Sequence, residues 1–338
     1  MTDSLYTYCQ ALRSDTFVHG FLPEWSQVRG PVIDLTLPFY GATEARKLIA
    51  SDTYLSAYTW HIHGKVEALP RKTDAKAVSS RNIIAITSGK GGVGKSSVTV
   101  NLALALQASG ARVGILDADI FGPSIPTMLG NKHVKPEFTE DKKMLPIECF
   151  GLQVNSLGYL TEQDDATVWR GPMASRALEQ LCFDTRWHNL DYLLIDMPPG
   201  TGDIQLTLAQ KLPVAGAVIV TTPQEVALAD AQKGIAMFRK VGVPVFGLVE
   251  NMSYYSCGAC QHKDYIFGRD GGKNLAQRQG IPLLGEWPLV TRMREQLDAG
   301  TPIVQAEPDH PVSQQIITTA ERMVANAWQL SSPNAPND

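Results

Sequence analysis

The chain has little cysteine, no long apolar run and no excess of positive charge. Five cysteines in 338 residues are too few and too unevenly placed for a disulfide framework. Cys9, Cys149 and Cys182 stand alone and read as small buried hydrophobes. No apolar stretch reaches the roughly 18 residues that a helical membrane span needs. Thirty Lys and Arg against 34 Asp and Glu leave a net charge of -4, which supplies no basic field for nucleic acid or anionic lipid. Neither nucleic acid nor membrane is therefore expected as a partner. The first residues, Met1-Thr2-Asp3-Ser4, lack the charged-then-apolar profile of an export signal, and Asp3 and Asp15 argue against an organellar transit peptide. A cytoplasmic protein is expected. Internal repeats are missing too, and low complexity is confined to the Ser-, Pro- and Asn-rich residues 331–338, expected to be a disordered tail.

An apolar content of 44% and a charged content of 19% describe an ordinary globular chain, longer than one typical domain. Residues 1–70 have their own pattern. Val32–Leu37 and Tyr58–His63 alternate as strands around a helical stretch, Ala42–Ala50, which implies a small α/β module. Residues 71–81 read as a polar linker. From residue 82 to about 330, apolar strand runs alternate with helical patterns. The strands are Ile83–Thr87, Arg112–Leu116, Leu152–Leu157, Tyr192–Ile195, Ala217–Thr221, Val245–Val249 and Leu283–Leu284. The helices are Lys95–Ala108, Ser175–Cys182, Ile204–Lys211, Val226–Val241, Gly272–Gln279 and Pro311–Gln329. This predicts an α/β fold with a mostly parallel, doubly wound sheet, whose ligands bind at the carboxyl ends of its strands.

One such end carries a phosphate-binding loop. Gly89-Lys90-Gly91-Gly92-Val93-Gly94-Lys95-Ser96 follows the first of these strands and opens a helix. Its glycines let the backbone curl so that successive N–H groups face one anion. Lys95 reaches the β and γ phosphates, Ser96 ligates Mg²⁺, and the helix directs its positive end to the same place. The expected nucleotide contacts are Gly89, Lys90, Gly91, Gly92, Val93, Gly94, Lys95, Ser96 and Ser97. Two further strands end in carboxylates, Asp117-Ala118-Asp119 and Asp196-Met197-Pro198-Pro199-Gly200-Thr201-Gly202-Asp203. Asp196 fits the holder of Mg²⁺, directly or through water, and Gly200 can offer its N–H to a γ-phosphate. No Asn-Lys-x-Asp guanine signature is present, which favours ATP.

With Lys90, the loop resembles the deviant Walker A group of dimeric P-loop NTPases, which includes nitrogenase iron protein, arsenite-pump, MinD-type and ParA-type ATPases and Mrp-type iron–sulfur cluster carriers. The resemblance implies a homodimer in which Lys90 reaches the partner's ATP, with Asp119 orienting the attacking water and Asp117 supporting it. Within the group, an ordered series resembles the Mrp-type carriers: Trp169-Arg170-Gly171-Pro172-Met173, the Asp196 to Asp203 segment, Asn251-Met252-Ser253, and the Cys257 and Cys260 pair followed by Ile266-Phe267-Gly268. It spans about residues 82–325 and implies that Asn251 reads adenine, its amide offering both donor and acceptor. The N-terminal segment resembles, in degenerate form, the small module fused to bacterial members. It has no cysteine between Leu35 and Ala75, so partner docking is its expected role.

Taken as residues, the pair Cys257 and Cys260 has three readings. A zinc ribbon needs four ligands, and one chain offers these two thiols and His262. A redox dithiol normally opens a helix in a βαβ setting, whereas this pair sits in a polar loop. Two copies facing across an axis supply four thiolates, enough for a 4Fe-4S cluster. The Mrp resemblance implies the third: a labile cluster bridging two subunits, received from scaffold proteins and delivered to apo-proteins, with slow ATP hydrolysis as a switch. The alternative is a positioning or partitioning ATPase of MinD/ParA type that acts by ATP-dependent dimerisation. It needs a basic amphipathic C-terminal helix, and no Lys or Arg follows Arg322. Nitrogenase iron protein carries a cluster cysteine in the segment corresponding to Asp196–Asp203, where this chain has none.

Overall fold

The structure is a computed structural model that describes residues 9, 14, 17, 20, 21, 23–71, 78–120, 122–160, 171–257, 260 and 262–332. Trp169 and Arg170 of the resemblance series, residues 72–77 of the expected linker and residues 333–338 of the expected tail lie outside them.

The described chain begins with a three-stranded sheet, β1 (Ser26–Arg29), β2 (Val32–Leu37) and β3 (Thr59–Gly64), crossed by α1 (Ala42–Ser51). β1 is antiparallel to β2, and β2 is parallel to β3. The nucleotide-loop region follows: β4 (Ser80–Thr87), α2 (Lys95–Ala108), β5 (Val113–Asp117), α3 (Ile125–Met128), β6 (Ile147–Cys149) and β7 (Leu152–Ser156). Next come α4 (Gly171–Phe183), β8 (Leu190–Asp196), α5 (Asp203–Lys211), β9 (Gly216–Thr221), α6 (Glu225–Lys240) and β10 (Val245–Glu250). A two-stranded hairpin, β11 (Tyr255–Ser256) and β12 (Lys263–Asp264), precedes α7 (Gly271–Gln279) and β13 (Leu283–Glu286). Three helices close the chain, α8 (Thr291–Asp298), α9 (Ile303–Ala306) and α10 (Pro311–Ser331).

The central sheet has the order β13-β10-β9-β4-β8-β5-β7-β6. Every pairing in it is parallel except that of the edge strand β6 with β7. Both faces are covered, which is why β4, β8, β9 and β10 read as unbroken apolar runs: Ile83 to Ile86, Leu193 to Ile195 and Val218 to Ile219 have no exposed surface. Helix α2 is buried nearly all round, from Val98 to Leu106, because the sheet lies on one side and α10 packs on the other. Chain order puts the phosphate loop after β4, with β8 and β9 as its neighbours, so the carboxylate at the end of β8 arrives beside it.

The N-terminal sheet is not a separate body of contacts. Trp328 of α10 meets the Trp25 ring edge-on at 5.4 Å between centroids, and its indole N–H donates to Glu67 Oε2 at 2.8 Å. Buried Glu321 accepts the N–H groups of Thr43 (3.0 Å) and Glu44 (2.9 Å), capping the start of α1. The expected linker and the expected tail each have a boundary that differs from expectation. β4 already begins at Ser80, inside the expected linker, because Ser80 enters register with Leu190. The expected tail also starts too early: α10 runs through Ser331, and the Ser332 hydroxyl donates to Glu67 Oε2 at 3.2 Å, which holds the helix end down.

Candidate functional site

Three strand ends converge on the phosphate loop. The cross-strand pairing of β5 with β8 sets Asp117 beside Asp196, and both side chains are fully buried. Lys95 lies with its ammonium 2.7 Å from Asp196 Oδ2 and 3.4 Å from Asp119 Oδ2. Ser96 Oγ donates to Asp196 Oδ2 at 2.6 Å and Thr99 Oγ1 to Asp196 Oδ1 at 2.7 Å, so this buried carboxylate is met by one cation and two hydroxyls. Asp117 accepts Ser156 Oγ–H at 2.9 Å and the N–H groups of Asp119 at 3.1 Å and Ile125 at 3.4 Å. Burial, then the neighbouring Asp196 charge, pushes the Asp117 carboxyl up to about 7.

The loop glycines are required by space and conformation. A Cβ at Gly89 would run into the backbone of Asp230, and Gly92 (φ +83°) and Gly94 (φ +81°) adopt left-handed conformations. Gly94 is the N-cap of α2 and provides no side-chain cap, so the first N–H groups of the helix face the loop. Gly91 and Lys90 are exposed at its outer side, with the Lys90 carbonyl accepting Ser88 Oγ–H at 2.9 Å. Ser97 is half-buried one step along α2 and takes no part in the Asp196 network. Gly200 (φ +98°) donates its N–H to the Ser88 carbonyl at 3.0 Å. The group expected to meet a γ-phosphate therefore has a protein acceptor here.

On the other side of the loop, Asn251 Nδ2 donates to the Val93 carbonyl at 2.9 Å and its backbone N–H to Thr221 O at 2.8 Å. A Cβ on Gly94 would strike this amide. The chain then turns through Met252 and Ser253 into the hairpin, where the Cys257 N–H donates to the His262 carbonyl at 3.0 Å. Cys257 is half-buried and Cys260 exposed, and both lie in the polar connection between the two strands of this short ladder, as the sequence suggests. The Lys263 ammonium lies 4.3 Å from the Tyr254 ring centroid and the Arg269 guanidinium 4.8 Å from that of Tyr265, bracing the hairpin base. Among the described residues no three His, Cys, Asp or Glu side chains converge to hold a metal ion.

The structure brings Lys95, Ser96, Asp117, Asp119 and Asp196 together and adds Thr99, Ser156 and Gln205, which the sequence did not single out. Thr99 had a signal: three residues after Ser96 on a helix places it on the same face. Ser156 reaches Asp117 across the β5–β7 pairing, and buried Gln205, whose amide donates to Thr87 Oγ1, arrives from α5. Neither was visible in linear spacing.

A glycine-rich loop between β4 and α2, a lysine and a serine on a strand-end carboxylate, and a parallel sheet in this order define a P-loop NTPase. Its fold is that of the MinD cell-division ATPase of Pyrococcus furiosus, with a TM-score of 0.53 at 22% identity over 72% of this chain and 98% of that one. A family model described as ParA, NUBPL iron-transfer P-loop NTPase, matches residues 79–324, and the chain belongs to that family. It is 52% identical over 308 residues to the iron-sulfur cluster carrier protein of Haemophilus influenzae, covering 88% of this chain and 83% of the relative. It is 48% identical over 260 residues to the iron-sulfur cluster transfer protein NUBPL of Dictyostelium discoideum, covering 76% and 80%. A nucleotide-binding protein from Archaeoglobus fulgidus, solved in complex with ADP, aligns with a TM-score of 0.61 at 37% identity, over 68% of this chain and 90% of that one.

Proposed function

We propose that this chain is an ATP-hydrolysing iron–sulfur cluster carrier that takes a labile cluster on Cys257 and Cys260 from a scaffold protein and hands it to apo-proteins. Its kinship with proteins named as carriers supports this reading. The observation that carries it is the linkage of the two sites, because the segment that bonds to the phosphate loop through Asn251 runs directly into the cysteine hairpin. The alternative MinD/ParA-type positioning role finds no support in that hairpin. No helix among the described residues is long and apolar enough to cross a membrane.

Binding of the triphosphate draws Lys95 away from Asp196 toward the β and γ oxygens. Asp196 and the Ser96 hydroxyl would hold Mg²⁺, directly or through water. Their fit rests on two hard oxygen donors that already converge at 2.6 Å. When bound there, the ion would neutralise phosphate charge. Asp119 orients the attacking water, and Asp117 fixes Asp119 through its N–H. Gly200 exchanges Ser88 O for the γ-phosphate and returns when that phosphate leaves, which makes slow hydrolysis a switch. Lys90, exposed on the loop's outer side, reaches the nucleotide of a second copy. Each copy gives two thiolates, so a homodimer supplies the four that a 4Fe-4S cluster takes. Ligands split between two chains, with Cys260 at the surface, favour release of the cargo.

Cys257→Ala or Cys260→Ala should abolish anaerobic cluster reconstitution, followed by visible absorption and iron analysis, while ATP binding survives. Full cluster occupancy in both variants would reject the cargo site.

A further inference from the structure

The segment that carries both cysteines leaves and re-enters the fold at one buried carboxylate. Glu250, the last residue of β10, has no exposed surface. Its Oε1 accepts the Ser253 hydroxyl at 2.6 Å, just before the hairpin, and its Oε2 accepts the N–H of Gly272, just after it at the start of α7. Ser253 and Gly272, which flank the stretch that carries Cys257 and Cys260, are thus held together by one side chain. Gly272 has no room for a Cβ, which would run into that carboxylate.

The same place is fastened to the nucleotide side. Asn251, the residue after Glu250, holds the Val93 carbonyl of the phosphate loop. Met252, between Asn251 and Ser253, is held at φ +55°, a conformation costly for a residue with a side chain, so the turn needs the bonds on either side of it. Backbone bonds from Ser253 N to Trp287 O (2.9 Å), Trp287 N to Glu250 O (2.8 Å) and Leu289 N to Tyr254 O (2.7 Å) tie the exit of the turn to the segment after β13. A shift of Asn251 on the phosphate loop is passed to a turn whose other end is gripped by Glu250.

We propose that Glu250 is a positioning residue that holds Ser253 and Gly272 together across the cysteine-bearing stretch and makes the placement of Cys257 depend on occupancy of the nucleotide site. The inference rests on the carrier reading for its biological meaning, but its test reads the thiols themselves. Full-length protein without cluster is labelled with an aromatic disulfide reagent, and the peptide bearing Cys257 and Cys260 is followed by mass spectrometry. Exposed Cys260 is the internal reference and half-buried Cys257 the reporter. In the wild type, a non-hydrolysable ATP analogue with Mg²⁺ slows labelling of Cys257 relative to Cys260. Glu250→Ala raises the Cys257 rate without nucleotide by about tenfold or more, because both hydrogen bonds that the carboxylate accepts are released, and removes the response to nucleotide. Glu250→Gln keeps an acceptor for Gly272 and a donor for Ser253 and restores both. Ser253→Ala, which frees one arm, gives a smaller rise and covers the case in which Glu250→Ala does not fold.

Wild-type labelling that ignores nucleotide, or a Glu250→Ala protein that labels and responds like the wild type, would overturn the clamp. So would a Ser253→Ala protein with no rise. If the wild type shows the labelling pattern but takes up no cluster under anaerobic reconstitution, the carrier reading falls and the clamp stands.

Discussion

Lys95 and Asp196 form the buried ion pair on which the nucleotide chemistry turns. The pair is stable because Ser96 and Thr99 satisfy the remaining carboxylate lone pairs, and it can be exchanged because a triphosphate offers the lysine more negative charge than one carboxylate does. Lys95→Ala should therefore lower the rate of ATP hydrolysis by about 10²–10³-fold, measured as phosphate release. Asp117 makes a pH-dependent contribution. Its carboxyl is raised from the ordinary 3.8 to about 7, so the folded chain holds a proton there that the unfolded chain has lost. The stability this gives is complete below the unfolded value and disappears as pH rises through about 7. Thermal denaturation from pH 5 to pH 8 without added nucleotide should show the wild type losing stability relative to Asp117→Asn as pH rises. A constant difference would contradict the assignment. The phosphate-loop residues were legible in the sequence because one contiguous backbone turn encodes them. Thr99, Ser156 and Glu250 were not singled out, since their partners come together through helix packing or strand register.

At the scale of elements, the long strands and helices could be read because their burial is sustained: α2 spans the predicted Lys95–Ala108, and β8, β9 and β10 each extend the predicted run by one to three residues. Strands β1, β6, β11 and β12 and helices α3, α8 and α9 were missed. Most are too short to display a hydrophobic period, α8 buries Met293 and Leu297 alone on an otherwise polar segment, and the cysteine hairpin is held by backbone bonds and ring contacts rather than by an apolar face. The docking of α1 on α10 was equally hidden, because it depends on the Glu321 carboxylate accepting two orphan N–H groups far away in sequence. Glu321→Ala leaves both without an acceptor and should cost about 1–3 kcal/mol in urea denaturation, with little change in nucleotide affinity. An unchanged midpoint would show that the cap contributes nothing to holding the two parts together.

At the scale of the whole molecule, a four-thiolate cluster site requires two copies. A single chain presents two thiols on a hairpin, an exposed Lys90 at the outer side of its own phosphate loop, and no converging third ligand among the described residues. Lys90→Ala should slow hydrolysis by about 10²-fold while single-site ATP binding persists, and mixing it with Lys95→Ala protein should restore part of the activity only if the lysine acts across an interface. The most direct measurement is anaerobic analytical ultracentrifugation of reconstituted protein combined with iron and sulfide assay. The expected result is a dimer holding about four iron and four sulfide per pair of chains. A species that stays monomeric with nucleotide and holds neither iron nor sulfide would contradict it.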